Sequence, residues 1–398
     1  MVDVRAVDRL ADVPRLDWDA LVGDDGFYLS YDWLRYVETE PSQRSRYLLA
    51  TEASRLVGAL VLSQVHDALT IRYRAEHFAE LLGIDGNALL AGGSQGYRST
   101  LLLGQPGVEG AGGMDGAGGT ESRGRVLATL LRAALSEAHD DGCAGIVLPF
   151  LTTGALAEVA RVAQVRAAFE MPEAEITCGG EGLDDYVERA SGGVRRKIKS
   201  DRERFDRSGW TIRERRLDDC WADAARLLFL LQSKYGHTEL TLADYERVLA
   251  AQARGLADRS VVFCCEDNGG IAGLAVCYRW RSTLYGRLAG FDYDRLRAAR
   301  EYFTTGLYAP LQYAARHGIQ LLHLGPGSWQ AKGYRGAVLR PLWSAFIPSG
   351  QSDQNPGLEL VNGASVRQWM AEIMEHSIRI NDEEWHKPVR LAAGRRPA

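Results

Sequence analysis

The chain lacks any long apolar run: nothing in its 398 residues approaches the ~18 successive apolar positions that a membrane-spanning helix needs. Its opening, MVDVRAVDRLADVPRL, has no apolar centre of the kind found in a secretory leader, so a cytoplasmic protein without a membrane partner is expected. Cysteine is sparse. Cys143, Cys178, Cys220, Cys264, Cys265 and Cys277 show no C-x-x-C spacing, which argues against a zinc site or a disulfide framework and for buried thiols in a reducing compartment. Histidines and carboxylates do not recur at ligand spacing, and no H-E-x-x-H, G-x-S-x-G or P-loop is present, so no metal is expected. A net charge of −5 argues against a surface built throughout for nucleic acid while leaving room for local basic patches, and no DNA partner is expected. What is there is a globular composition, 46% hydrophobic and 25% charged, in a chain long enough for two domains each with its own core.

Two stretches carry the same order of elements. In the second, VVFCCED (261–267) and GIAGLAVCYRWR (270–281) read as a hairpin around Asn268-Gly269, and TLYGRLAGFD (283–292) as a third strand. A helix follows in REYFTTGLYAPLQYAARHG (300–318), then a buried strand LLHLGPGS (321–328) and a last strand LRPLWSAFI (339–347). The first half runs in parallel: a short helix in FYLSYDWLRYVE (27–38) begins near Ser30 or Asp32, and RYLLATE (46–52) pairs with RLVGALVLSQVHD (55–67). A strand at 97–104, a helix at about 123–141, the strand CAGIVLPFL (143–151), another helix and AEITC (174–178) complete it. Residues 104–122 are too rich in glycine to bury a core and read as a surface loop.

The reading is therefore α/β: an N-terminal domain (1–180), a basic helical linker (181–210) holding Arg195, Arg196, Lys197, Lys199, Arg202, Arg204 and Arg207, a C-terminal domain (211–350), and a C-terminal helix with a disordered basic tail (351–398).

Several residues in the second stretch mark chemistry. Gly290-Phe291-Asp292 ends one central strand and Gly325-Pro326-Gly327 ends the next, which suits a backbone that a ligand approaches closely, although plain turns would use the same residues. The run Asp292-x6-Ala299-x-Glu301 before the helix, Tyr313-Ala314 and Gly318-Ile319 at its end, then Leu322, Gly325, Gly327, Lys332 and Tyr334 after it, resemble the second half of Fem-type, peptidoglycan-biosynthesis-type tandem GNAT acyltransferases.

That resemblance implies two tandem GNAT domains, each a mixed, mostly antiparallel sheet with splayed central strands flanked by helices, the second holding the acyl donor. It implies amide formation by direct attack of an amine, with no tightly bound cofactor. The splayed strands would place Tyr285, Arg287, Gly290 and Phe291 on one side of the donor and His323, Gly325 and Gly327 on the other. Acyl-CoA relatives hold the pyrophosphate on a glycine-rich loop, but here the matching stretch carries Arg295, Arg297 and Arg300 with no glycines, leaving three arginines either to hold one phosphate or to lie in solvent.

For proton transfer the candidates are His237, Asp292, His323 and Tyr334, each of a type able to move a proton near neutral pH or to polarise an acyl group. Tyr235 and Glu239 flank His237 on the acceptor side, and Trp329 and Lys332 border the donor. Each has a bland alternative: a surface histidine, a helix cap at Asp292, a core histidine at 323. The missing glycines favour an acyl group on the phosphopantetheine of a carrier protein over free CoA, with a small-molecule amine as acceptor in natural-product biosynthesis. The alternatives are an aminoacyl-tRNA-dependent Fem-type transferase, in which the basic segment docks tRNA, and a non-catalytic binding protein that keeps the scaffold.

Overall fold

In a computed structural model, residues 2–65, 71–104, 117–180, 182–349 and 356–394 are described; most of the glycine-rich segment lies outside them. The chain divides into two compact units, and the division interleaves the sequence. The first comprises Met1–Met171, Pro341–Glu372 and Asn381–Ala398, and the second Pro172–Arg340 with Ile373–Ile380.

The first unit is built on β1 (Asp3–Val7), β2 (Gln43–Glu52), β3 (Arg55–Val65), β4 (Ala88–Ala91), β5 (Leu102–Leu103), β6 (Gly145–Leu151) and the opening half of β7 (Gln164–Thr177). β1, β2, β3 and β4 are antiparallel neighbours, and β4 then runs parallel to β6 through Ala88–Gly145, Leu89–Ile146 and Leu90–Val147. β6 is all apolar and fully buried, as a central strand covered on both faces should be. The short helix Tyr31–Val37 begins where the sequence suggests: the Ser30 hydroxyl accepts the Trp33 amide at 3.4 Å, and Trp33, Tyr36 and Val37 are buried.

The second unit contributes β8 (Thr211–Arg215), β9 (Ser260–Asp267), β10 (Gly270–Trp280), β11 (Thr283–Phe291) and β12 (Leu321–Pro326). They are antiparallel neighbours except β11 and β12, which are parallel; the closing half of β7 then pairs antiparallel with β12. The β9–β10 turn forms at Asn268-Gly269 because Asp267 Oδ1 accepts the Gly269 amide at 2.9 Å and Gly270 takes φ of +94°.

β13 (Val338–Pro348) leaves the second unit after Arg340 and pairs antiparallel with β6 in the first. β14 (Gly357–Leu360) lies parallel to β7, and β15 (Arg379–Ile380) pairs with Val338 and Leu339 in the second unit.

Four details differ from the sequence reading. The strand expected over 97–104 reduces to β5 and a single bridge between Ser99 and Leu151. β1, β4 and β8 were not foreseen; β1 and β8 alternate weakly and are mostly exposed, so they carry little apolar signal. The basic segment is not a bare linker. Its helix, Gly192–Asp206, buries Ile198, Asp201 and Phe205, and Phe205 packs with Trp210, Cys265, Ala272 and Ala299 in the second unit's core. The stretch read as a disordered tail holds a helix over Asp382–Ala393 whose Trp385 is fully buried and tilted against Phe169 at 5.3 Å. Four of the six cysteines are buried and all six are free thiols.

Candidate active site

In the second unit β11 and β12 share register only at Thr283–Leu321, Leu284–Leu322 and Tyr285–His323. Beyond that point Gly286–Phe291 continues to pair with β10 alone, through a bulge that falls at Arg287. β11 is buried at both ends and half-exposed from Gly286 to Ala289. A central strand that loses a neighbour's register and becomes part-exposed in its middle is accessible there, and bulges of this kind re-aim a side chain beside a site.

The end of β12 is held by a lysine. Lys332 is 6% exposed and donates to the carbonyls of Leu324 (2.8 Å), Gly325 (3.0 Å) and Pro326 (3.1 Å), where β12 ends. Burial pushes its ammonium down to about 7, against a smaller upward pull from the Glu173 carboxylate. Glu173, on the closing half of β7, sets Oε2 2.5 Å from Nε2 of His323, and both side chains are almost completely buried. Tyr285 packs on the same imidazole with ring centroids 5.0 Å apart. Beside them Glu175 Oε1 meets Arg340 Nε at 2.5 Å.

A family model described as FemAB-like, peptidoglycan biosynthesis/recognition, matches residues 118–355, more than half the chain. The chain belongs to the FemAB-like family. It is thus a Fem-type, GNAT-like acyltransferase. Among solved structures it is similar to FemX (11% identity, 87% of this chain and 98% of that one, TM-score 0.54). It is similar also to the C-terminal domain of a protein designated a lysylphosphatidylglycerol synthetase from Agrobacterium fabrum (13%, 92% and 97%, 0.53). A conserved protein of unknown function from Bacteroides thetaiotaomicron gives 10%, 87% and 100%, with a TM-score of 0.52. At these identities the structures speak to fold, which is the expected α/β fold with a mostly antiparallel sheet flanked by helices. No curated protein matches.

This FemAB-like chain places the residues singled out from the sequence in three groups. Tyr285, Arg287, His323, Gly325 and Lys332 lie where the strands part; Gly325 has φ of +67° and Gly327 follows at +79°. Tyr334 and Trp329 form a second cluster with His376, a residue that sequence reasoning missed. The Tyr334 hydroxyl is 2.7 Å from His376 Nδ1, Gln330 Nε2 is 3.0 Å from His376 Nε2, and the Trp329 ring lies 5.8 Å from the imidazole.

The third group is tied into structure. Gly290 is where the helix Trp221–Lys234 touches the sheet, since a Cβ there would lie 2.6 Å from the Leu227 backbone. Phe291 is buried over Gly273. Asp292 does not cap a helix; its carboxylate faces Arg226 at 3.6 Å and its amide donates to Ala272. His237, Tyr235 and Glu239 are exposed on the loop after that helix, with Tyr235 beside Tyr293.

The arginines of the loop before the helix are all engaged. Arg295 and Arg297 both pair with Asp267, Arg297 stacks 4.0 Å over Trp210, and Arg300 reaches Asp201 at 3.5 Å. The buried Glu301 carboxylate accepts the Arg297 amide at 2.7 Å and Trp210 Nε1 at 3.1 Å. The helix beyond it opens into a π-turn at Thr304–Tyr308. Asp201, from the basic helix, accepts from the Tyr308 hydroxyl (2.6 Å) and from Arg335 Nε (2.9 Å) and Nη2 (2.6 Å). Glu301 stands in the quoted motif without a role. Glu173 and Glu175 show as acids alternating inside an apolar strand, and Asp201 as an acid on the apolar stripe of a helix; those were the available signals. Among the described residues no cluster of His, Cys, Asp or Glu fits a metal, and no helix is long and apolar enough to cross a membrane.

Proposed function

We propose that the chain is an aminoacyl-tRNA-dependent aminoacyl transferase that joins an amino acid to a primary amine, with chemistry where β11 and β12 part. The observation that carries this is the state of the loop Arg295–Arg300. Where an acyl-CoA enzyme would offer amides to a pyrophosphate, the Arg297 amide already serves the buried Glu301 carboxylate, and Arg295 and Arg297 are neutralised by Asp267. An adenosine diphosphate brought there would meet a carboxylate. This argues against the CoA donor and, with the FemAB-like match and the fold shared with FemX, favours tRNA over the carrier-protein thioester that the sequence alone ranked first.

The basic helix supports the same reading. Its buried stripe leaves Arg196, Lys197, Lys199, Arg204 and Arg207 exposed, interspersed with the exposed acids Glu203 and Asp206. A row of exposed cations suits a chain of phosphates better than the single phosphate of a carrier-bound pantetheine.

The test pairs full-length protein with total aminoacyl-tRNA carrying labelled amino acids and a panel of primary amines, among them glycinamide and a stem peptide of the peptidoglycan type. Amide formation abolished by RNase is expected, with tRNA raising the melting temperature. Neutralising about four phosphates implies binding weakened roughly a hundredfold between 50 and 200 mM salt. Transfer from an acyl carrier protein or acetyl-CoA that survives RNase would overturn the proposal.

A further inference from the structure

We propose that Glu173 and His323 form a general-base dyad in which the carboxylate fixes the imidazole tautomer and Nδ1 takes the proton of the attacking amine. The proposal rests on the amide-forming reading above and adds residues and roles to it.

The geometry is that of an oriented base. Nε2 lies 2.5 Å from Glu173 Oε2, so with an ionised carboxylate it must carry its proton and donate it. Nδ1 is buried and has no hydrogen-bond partner. An imidazolium would leave an N–H there unsatisfied in a site without solvent, a desolvation cost that the neutral ring with a bare Nδ1 lone pair avoids. With Nε2 engaged by the carboxylate, Nδ1 is the nitrogen left to act as base, as in nucleophile-activating triads.

The groups facing this ring are few. β7 supplies Glu173 and Glu175, β11 supplies Tyr285, the turn of helix Trp329–Gly333 supplies Lys332, and the start of β13 supplies Arg340, which pairs with Glu175. The Glu173 carboxylate also acts on Lys332, pulling its ammonium up against the larger downward push of burial. His323 is the last β12 residue in register with β11, and the half-exposed stretch of β11 begins one residue beyond its partner Tyr285. An acyl ester lying along Gly286–Ala289 thus has its carbonyl where the two strands separate.

The step balances without a further reactant. The amine lone pair forms the C–N bond, the ester C–O bond breaks onto the ribose oxygen, and the proton taken by Nδ1 is returned to that oxygen.

The first measurement is nitrogen NMR of the full chain labelled with 15N-histidine, with the His323 signals assigned by their loss in His323→Gln. One protonated and one unprotonated ring nitrogen near neutral pH, with the tautomers mixing in Glu173→Gln, is the expected result. An imidazolium throughout pH 5–9, or protonation at Nδ1, overturns the dyad.

The second measurement is transfer from labelled total aminoacyl-tRNA to the same amines. Glu173→Gln and His323→Gln should lose about a hundredfold in kcat with KM little changed. Glu173→Asp should recover part of the rate, because a shorter carboxylate can still accept from Nε2. A purely structural Glu173 would lower the melting temperature while the folded protein kept its kcat, which would overturn the proposal. Failure of wild-type protein to use aminoacyl-tRNA would count against the donor reading alone, since the nitrogen signals decide the dyad separately.

Discussion

Each unit has a parallel strand pair inside its sheet, β4–β6 in the first and β11–β12 in the second, and these two pairs end differently. In the first unit β6 leaves its register with β4 at Val147, bulges opposite β13, and places Phe150 at φ of +51°. A bulky, fully buried residue in the left-handed region is strained, at about 1–2 kcal/mol. The carbonyl it exposes is met by main chain: Ser99 N donates to Phe150 O at 2.8 Å, and Thr152 N donates back to Ser99 O at 3.3 Å. The gap between the strands is closed by the protein's own backbone. In the second unit β12 bulges after His323, and the left-handed position is Gly325, which takes it without strain. Its neighbouring carbonyls are met by a side chain, Lys332, and β11 stays half-exposed. The same local device is thus closed by main chain in one unit and held by a side-chain charge in the other. A strand end held by one ammonium leaves its partner strand accessible, and this favours the second unit as the seat of chemistry.

The comparison breaks most visibly if charge is removed from the second unit. Asp201→Ala would leave Arg335, whose side chain is 5% exposed, without its carboxylate, and about 3–5 kcal/mol of stability should be lost in urea titrations. Lys332→Met comes next. It strips the donor from three buried carbonyls and should cost about 3 kcal/mol.

The same variant carries a pH signature. The folded lysine titrates near 7 and the unfolded one near 10.4, so between those values the unfolded chain binds more protons and the lysine's contribution to stability rises with pH. The wild-type advantage over Lys332→Met should therefore grow from pH 7 to 9, by at most about 1.4 kcal/mol per unit, in paired melts. A constant difference would mean the ammonium keeps an ordinary pKa.

Much of this contrast was legible before the structure, and its limits have physical causes. The strands β9 to β12 of the second unit could be read from alternating or continuous apolar residues, and Gly325, Lys332 and His323 were singled out because a glycine at a strand end and polar residues beside it are local features. Their partners were not legible. Glu173 lies 150 residues before His323, and His376 lies 42 beyond Tyr334; no local pattern joins residues brought together by strand pairing or by the return of Ile373–Ile380 to the second unit. The three arginines before the helix show the converse. Their spacing suggested a phosphate, but Asp267 and Glu301 are supplied by the β9 end and by the helix itself, and only the folded chain shows them already occupied. The helix Asp382–Ala393 was missed because its polar face, its terminal charges and the internal Pro388 outweigh the few buried positions, Trp385 and Pro388, that anchor it.

Two smaller substitutions sharpen the comparison. Gly325→Ala forces a Cβ onto a left-handed residue and should cost about 1–2 kcal/mol in melting experiments, whereas the same backbone state at Phe150 is already tolerated at that price in the first unit. Ser99→Ala should do least. The bonds that close the first unit's gap use the Ser99 amide and carbonyl, and its hydroxyl receives only a 3.5 Å contact from the Gly93 amide, so the loss should stay within about 0.5 kcal/mol. Ser99→Pro, which removes the amide itself, should cost several times more. If Ser99→Ala proved as damaging as Lys332→Met, side-chain polarity would be holding both strand ends, and the difference in accessibility between the units would need another cause.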